Sequence, residues 1–446
     1  MGIFFFGVLY QSIGFKSVLV NIASKKSDMQ TLAQLQNGTL KGLKRLTLSE
    51  GLETFPQEIF SLAETLEVLD LSHNKLTTLP DLSPLKNLKI AFFSFNRLSA
   101  VPDAFKNCHH LYMLGLKGNQ LSHFDEDILP LSISWLILTD NQLTMLPHSL
   151  GDLHKLRKFP LAGNRLSSLP ESMANCRNME LIRLSANRFE QLPEWLLYLP
   201  KLAWLAFSGN PCAHSPQSEL AEVPYESLEM HELLGAGASG EIYRAQDKES
   251  AKEVALKLFK GAVTSDGYAH DEMNAYMSTG EHPHLISVHA RLKGDDKLGL
   301  VLELIPSHYE NLGLPPSFET CTRDTFEVGT KFELESIYSV ARAMVSAAEH
   351  LHQRGLMHGD LYAHNILIER EEHHIYFGDF GAASFYDKEN TLYEKIEVRA
   401  FGCLLEDMLT FCPDDKSEGY GYLKTLAKRC MDEVVENRPC FKEINI

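Results

Sequence analysis

Gly235, Gly237 and Gly240 open the stretch of this 446-residue chain in which residue types and spacing can do chemistry. A Gly-x-Gly-x-x-Gly run alone is ambiguous, because dinucleotide-binding folds use the same glycines and follow them with a helix. Here Glu241-Ile242-Tyr243-Arg244-Ala245 alternates as a strand does, and Val254-Ala255-Leu256-Lys257 follows as another. The glycines therefore read as the tip of a hairpin lying as a lid over nucleotide phosphates.

That hairpin with its lysine resembles the protein kinase family, and further motifs arrive in the family's order: Leu300–Ile305, His358-Gly359-Asp360-Leu361 with Asn365, and Asp379-Phe380-Gly381. Val398–Phe401-Gly402 and Asn437-Arg438-Pro439 resemble its later helix and closing motif, so the likeness runs over about residues 228–446. It implies a two-lobed α+β kinase domain using ATP and Mg²⁺. Lys257 would hold the α- and β-phosphates, in a nucleotide site shared with Gly235, Gly237, Gly240, Ile242 and Ala255. Glu272 would fix the Lys257 ammonium; its neighbour Asp271 points about 100° round a helix, so one of the two can face inward. Leu302 falls at the gatekeeper position, with Glu303 and Ile305 in the hinge that meets adenine. Asp360 would accept the proton of the substrate hydroxyl, and Asn365 and Asp379 would bind Mg²⁺.

Three departures from the family pattern stand out. Gly359 replaces an arginine, removing the cation that a phosphorylated activation segment would bind, so the unphosphorylated chain is expected to be active although Ser384, Tyr386, Thr391 and Tyr393 are candidate acceptors. The segment between Gly381 and Glu397 is short and carries no Ala-Pro-Glu motif, which implies a reduced shelf for peptide substrates and leaves Arg438 without an identified carboxylate partner. Tyr362 stands where serine/threonine kinases carry lysine; transfer to Ser or Thr is favoured over Tyr.

Upstream, Asn74, Asn96, Asn119, Asn141, Asn164, Asn187 and Asn210 recur at intervals of 22 or 23 residues, each preceded by apolar residues in one phase, as in Leu66, Leu69 and Leu71 before Asn74. After most of them a Leu-Pro pair follows, such as Leu79-Pro80 and Leu169-Pro170. The pattern is similar to leucine-rich repeats of the 23-residue Leu-Pro type, about eight of them over residues 40–213. A curved parallel sheet, an α/β horseshoe solenoid, is the fold this implies. Residues between the inward leucines face the concave side, because side chains alternate along a strand. They include Phe92, Met113, Trp135, Ile137, Lys158, Arg183 and Trp204, and a face with such aromatics is expected to recruit a protein substrate or adaptor. Polar residues 214–227 read as a linker, and 228–446 as the kinase domain.

A formal net charge of −17 argues against a nucleic-acid reader, which needs a basic footprint. Eight scattered cysteines without CxxC spacing suit a reducing, cytoplasmic setting. The apolar run from Ile3 to Tyr10 is interrupted by Gln11, Ser12 and Lys16, too soon for a membrane span. Residues 1–28 are therefore read first as an upstream extension with Met29 as the working start, with a short membrane anchor as the alternative, and membrane association is not favoured.

Overall fold

A computed structural model describes residues 30–446 apart from 215–219, 238, 261–263, 265, 294–296, 370 and 372–373. The expectation for residues 1–28 lies outside the described residues.

A short helix α1 (Leu32–Gln36), closed by a capping box on Thr31 and Gln34, precedes eight three-residue strands. These are β1 (Arg45–Thr47), β2 (Val68–Asp70), β3 (Ile90–Phe92), β4 (Met113–Gly115), β5 (Trp135–Ile137), β6 (Lys158–Pro160), β7 (Leu181–Arg183) and β8 (Trp204–Ala206), joined in order as one parallel sheet. Leu46, Leu69, Ala91, Leu114 and Leu136 share one register and are buried. The repeated asparagines hold the turns that leave the strands. Asn96 donates to the carbonyls of Phe93 in its own repeat and Leu71 in the previous one, and its Oδ1 accepts from the Leu76 N–H. Buried backbone polar groups that the three-residue strands leave over are thus paired across repeats. Prolines begin the convex turns: Pro56, Pro102, Pro147, Pro170 and Pro193 each precede a short helix, the last being α2 (Glu194–Leu197). A proline's φ near −65° suits that entry, and its missing N–H would have had no helical partner there.

The second half begins with β9 (Glu222–Val223), β10 (Leu228–Ala236), β11 (Gly240–Asp247), β12 (Glu253–Phe259), helix α3 (Ala269–Ser278), β13 (Val288–Leu292) and β14 (Gly299–Leu302). The sheet order is β10-β11-β12-β14-β13-β9, with β9 added parallel to β13. Below it, β15 (Glu310–Asn311), helix α4 (Leu334–His352), β16 (Leu356–Met357), β17 (Ile366–Ile368), β18 (Ile375–Phe377), β19 (Ser384–Phe385) and helices α5 (Leu392–Thr410) and α6 (Glu418–Cys430) form a mainly helical lobe. Strands β15, β17 and β18 pair as one small sheet and β16 with β19 as another. Helix α4 buries Ile337, Val340, Ala341, Met344, Ala348 and Leu351, the spacing of one helical face.

The two halves share their cores. Leu181, Ala203 and Trp204 of the sheet lie in the hydrophobic cluster of the helical lobe, while Met357 and Ile396 lie in that of the repeats. The concave face carries the contact. Phe318, on the excursion after the hinge, packs 6.1 Å from Phe92 and 6.3 Å from Trp135. Lys158 sits over the Trp135 ring, and Arg157 reaches the Thr322 hydroxyl. Phe92, Met113, Trp135, Ile137, Lys158, Arg183 and Trp204 are all buried. The expectation that these positions recruit a partner is corrected here: the chain's own second half covers them.

Candidate active site

Sequence dictates the nucleotide side of the cleft locally. Strands β10 and β11 form an antiparallel hairpin, closed by a Gly237 N–H to Gly240 carbonyl bond of 2.8 Å, so a strand and not a helix follows the glycines. Gly240 is held by close approach: a Cβ there would run into the Leu258 carbonyl. Ile242 stands opposite Lys257 in β12, and Ala255 opposite Leu302 in β14. Glu303 accepts a 3.0 Å bond from the Tyr376 hydroxyl, and Ile305 is buried beside it in the chain leaving β14.

Lys257 is fully buried and paired with Glu272 of α3. Asp271 sits on another side of the helix, beside His270. Asp379 adopts a left-handed backbone, φ +62°, its carboxylate accepting from the Gly381 N–H and its own N–H donating to the Tyr276 hydroxyl of α3. Burial, with Glu272 close by, pushes the Asp379 carboxyl up to about 7. Asn365 donates its amide to the Asp360 carbonyl at 3.0 Å and to the Asp360 carboxylate at 3.1 Å. That leaves the Asn365 side-chain oxygen as an acceptor.

The loop of residues 358–365, the catalytic loop expected from sequence, is supported from three directions. From α5, Glu397 accepts the N–H groups of His358 and Gly359 at 3.1 and 2.7 Å, and pairs with His352. His358 stacks on Phe377 at 3.9 Å, and burial pushes its imidazole down to about 4, so it is neutral. From the post-hinge excursion, Asp324 accepts from the Ala363 N–H and from the His364 ring at 2.7 Å. From the repeats, Trp204 stacks on Tyr362 at 4.5 Å with the rings 5° from parallel, and donates to the Leu361 carbonyl. Arg183 of β7 donates to the Gly359 carbonyl at 2.9 Å, pairs with the Asp360 carboxylate and lies 3.1 Å from Asp266. Burial pushes the Asp360 carboxyl up, and Arg183 opposes it.

Lys257, Glu272, Asp360 and Asp379 are thus near enough to act on one another's charge, with Asn365 bonded to Asp360, while Gly235, Gly237, Gly240, Ile242, Ala255, Leu302, Glu303 and Ile305 lie on or beside strands β10, β11, β12 and β14. Sequence reading missed the supports. Arg183 was visible as a concave residue facing outward, Glu397 as a helix position, and Asp324 carried no local signal. Arg438 finds carbonyls where a carboxylate was sought: those of Asp432, Lys395 and, in the repeats, Pro200.

Both donors expected for Mg²⁺ offer oxygen, the ligand that cation requires. Among the described residues no three His, Cys, Asp or Glu side chains converge on a metal site. Two protein oxygens with the rest of the shell from phosphates and water is the coordination Mg²⁺ takes at nucleotides, so the residues fit the group.

Two stretches of the chain match known families. Residues 228–402 match the protein kinase domain and residues 65–121 the leucine rich repeat. Relatives include the negative regulator of sexual conjugation and meiosis of Schizosaccharomyces pombe, 27% identical over 38% of this chain and 35% of its own length. The serine/threonine-protein kinase AtPK2/AtPK19 of Arabidopsis thaliana is 28% identical over 42% and 38%. NUAK family SNF1-like kinase 1 of Mus musculus is 29% identical over 37% and 23%. This chain therefore spans less than two-fifths of the length of these relatives. A leucine-rich repeat protein of Leptospira interrogans aligns with 41% of this chain and 53% of its own, at 26% identity and a TM-score of 0.34. The chain is a leucine-rich repeat array followed by a protein kinase domain.

Proposed function

We propose that this protein transfers the γ-phosphate of ATP to serine or threonine hydroxyls of a protein acceptor. The observation that carries the reading is convergence: Lys257 paired with Glu272, Asn365 bonded to Asp360, and Asp379 near enough to feel the charges of Glu272, Lys257 and Asp360. Lys257 neutralises phosphate charge. Glu272 keeps its ammonium from swinging away. Asp360 takes the proton as the acceptor oxygen bonds to phosphorus and the bond to the ADP oxygen breaks. Asn365 and Asp379 would hold Mg²⁺, which when bound neutralises charge developing on the phosphates.

The test is transfer of label from γ-labelled ATP with Mg²⁺ to generic protein substrates, with analysis of the phosphorylated amino acid. Asp360→Ala and Asp379→Ala are expected to lower turnover by about 10² or more each, and Asp360→Ala also to lower the melting temperature, since it leaves Arg183 buried without its carboxylate. Near-normal turnover in Asp360→Ala would remove the assignment. A scaffold that binds nucleotide without transfer is the competing reading, favoured by the short segment after Asp379 and its contacts with Phe207 of the repeats; it predicts ATP binding with no labelled acceptor under any condition.

A further inference from the structure

The catalytic loop departs from the kinase pattern at Gly359 and Tyr362, and both positions touch the repeats. A Cβ on Gly359, φ +74°, would stand 2.5 Å from the Leu205 carbonyl of β8 and 2.7 Å from that of Ala382. No other residue type fits there without moving a backbone. Tyr362 lies face to face with Trp204. Where the loop has lost two cations, one guanidinium arrives from outside: Arg183.

We propose that Arg183, supplied by the seventh strand of the repeat array, is the positioning cation of the catalytic loop, so that the kinase site is composite and incomplete without the repeats. The guanidinium donates to the Gly359 carbonyl and the Asp360 carboxylate, and its Nε faces Asp266, which precedes helix α3. One planar group therefore fixes the base and ties the catalytic loop to the segment that leads into the helix carrying Glu272. A lysine's single point charge cannot reproduce that fork. The seat is built for it. Arg183 and both carboxylates are nearly inaccessible, Ser185 and Ser208 of neighbouring repeats lie against Gly267, and Gly209 lies against Asp271. Lys257, Glu272, Asn365 and Asp379 are as buried as Asp360, so the low exposure of the base belongs to the closed cleft as a whole. The interdigitated cores mark the contact as permanent rather than a detachable lock.

This inference rests on the kinase reading above, and its test separates the two. Full-length R183K, R183Q and R183A are compared with wild type for kcat, ATP KM and amide hydrogen exchange. R183Q and R183A are expected to lose about tenfold or more in kcat with ATP KM changed less than about threefold, and R183K to recover part of the loss. Exchange in residues 358–365 and 266–272 is expected to quicken about tenfold in R183Q while β1–β6 keep their protection. Raised or unchanged activity in R183Q overturns the inference, the former because it would make the contact inhibitory. Unchanged exchange overturns it whether or not the wild type transfers phosphate. An inactive wild type whose loop protection depends on Arg183 defeats the kinase reading alone.

Discussion

At the scale of single residues, the interface between the halves spends charge as well as hydrophobic area. Lys158 is buried in β6, its ammonium 4.1 Å from the Trp135 ring centroid and 3.5 Å from the Cys321 carbonyl. Burial pushes it down to about 8, Cys321, Asp360 and Asp266 opposing and Arg183 adding to the shift. The folded value lies below the unfolded one of 10.5, so the unfolded chain binds more protons between them. The penalty is full below about pH 8 and stability recovers as pH rises from there toward 10.5. Lys158→Met is accordingly expected to raise unfolding stability at pH 7, on the order of 1 kcal/mol, and to flatten that alkaline rise. Urea unfolding at pH 7 and 9.5 checks both; a lower midpoint for the variant at pH 7 contradicts the account. Among the candidate acceptors of the segment after Asp379, Ser384 is buried and its hydroxyl accepts from the Phe207 N–H, Tyr386 bonds His352, and Tyr393 packs on Phe207. Three of the four hydroxyl residues are thus spent on packing, which leaves Thr391 exposed.

Among elements, the informative pair is β8 and the catalytic loop. Trp204 contributes area, a ring stack and an N–H bond to Leu361 at once. Trp204→Ala is expected to cost about 3–5 kcal/mol, the range for removing a large buried aromatic. Because Trp204 belongs to the second half's core, the loss should appear in the cooperative melting of the whole chain, not in a separate early transition of the repeats. Calorimetry distinguishes these, and an early transition confined to the array would show that β8 folds without the loop. The short segment between Asp379 and α5 belongs to the same account: β19 pairs with β16, and Phe207 of the repeats packs on Tyr393.

For the whole molecule, the array is a wall of the second half and not a tethered module. Removing residues 1–219 would expose Met357, Ile396 and Tyr362 and leave the Arg438 donor to Pro200 unpaired. The remaining lobe is expected to melt at least about 10 °C below the full chain or to aggregate, since buried apolar area of this kind carries several kcal/mol. A lobe that melts with the full chain and keeps its turnover would refute the shared core. Among the described residues no helix is long and apolar enough to cross a membrane.

Sequence by itself determined a great deal, because much of the signal is local. The asparagine period specifies a stack of strands, since each repeat can bury its leucines only against the next. The glycine hairpin with Lys257, the Asp360 to Asn365 spacing and Asp379-Phe380-Gly381 likewise sit on short elements whose own hydrogen bonds place them. What those readings left open is where the concave face points. A tryptophan between two inward leucines has the same pattern whether it meets another protein or its own chain. Only the tertiary structure sets Trp204 on Tyr362 and, across 177 residues of sequence, Arg183 on Asp360. That contact depends on the path of the chain between the halves, and it is also what makes sense of Gly359: an oddity of the motif in sequence, and in the fold the space that admits the repeats.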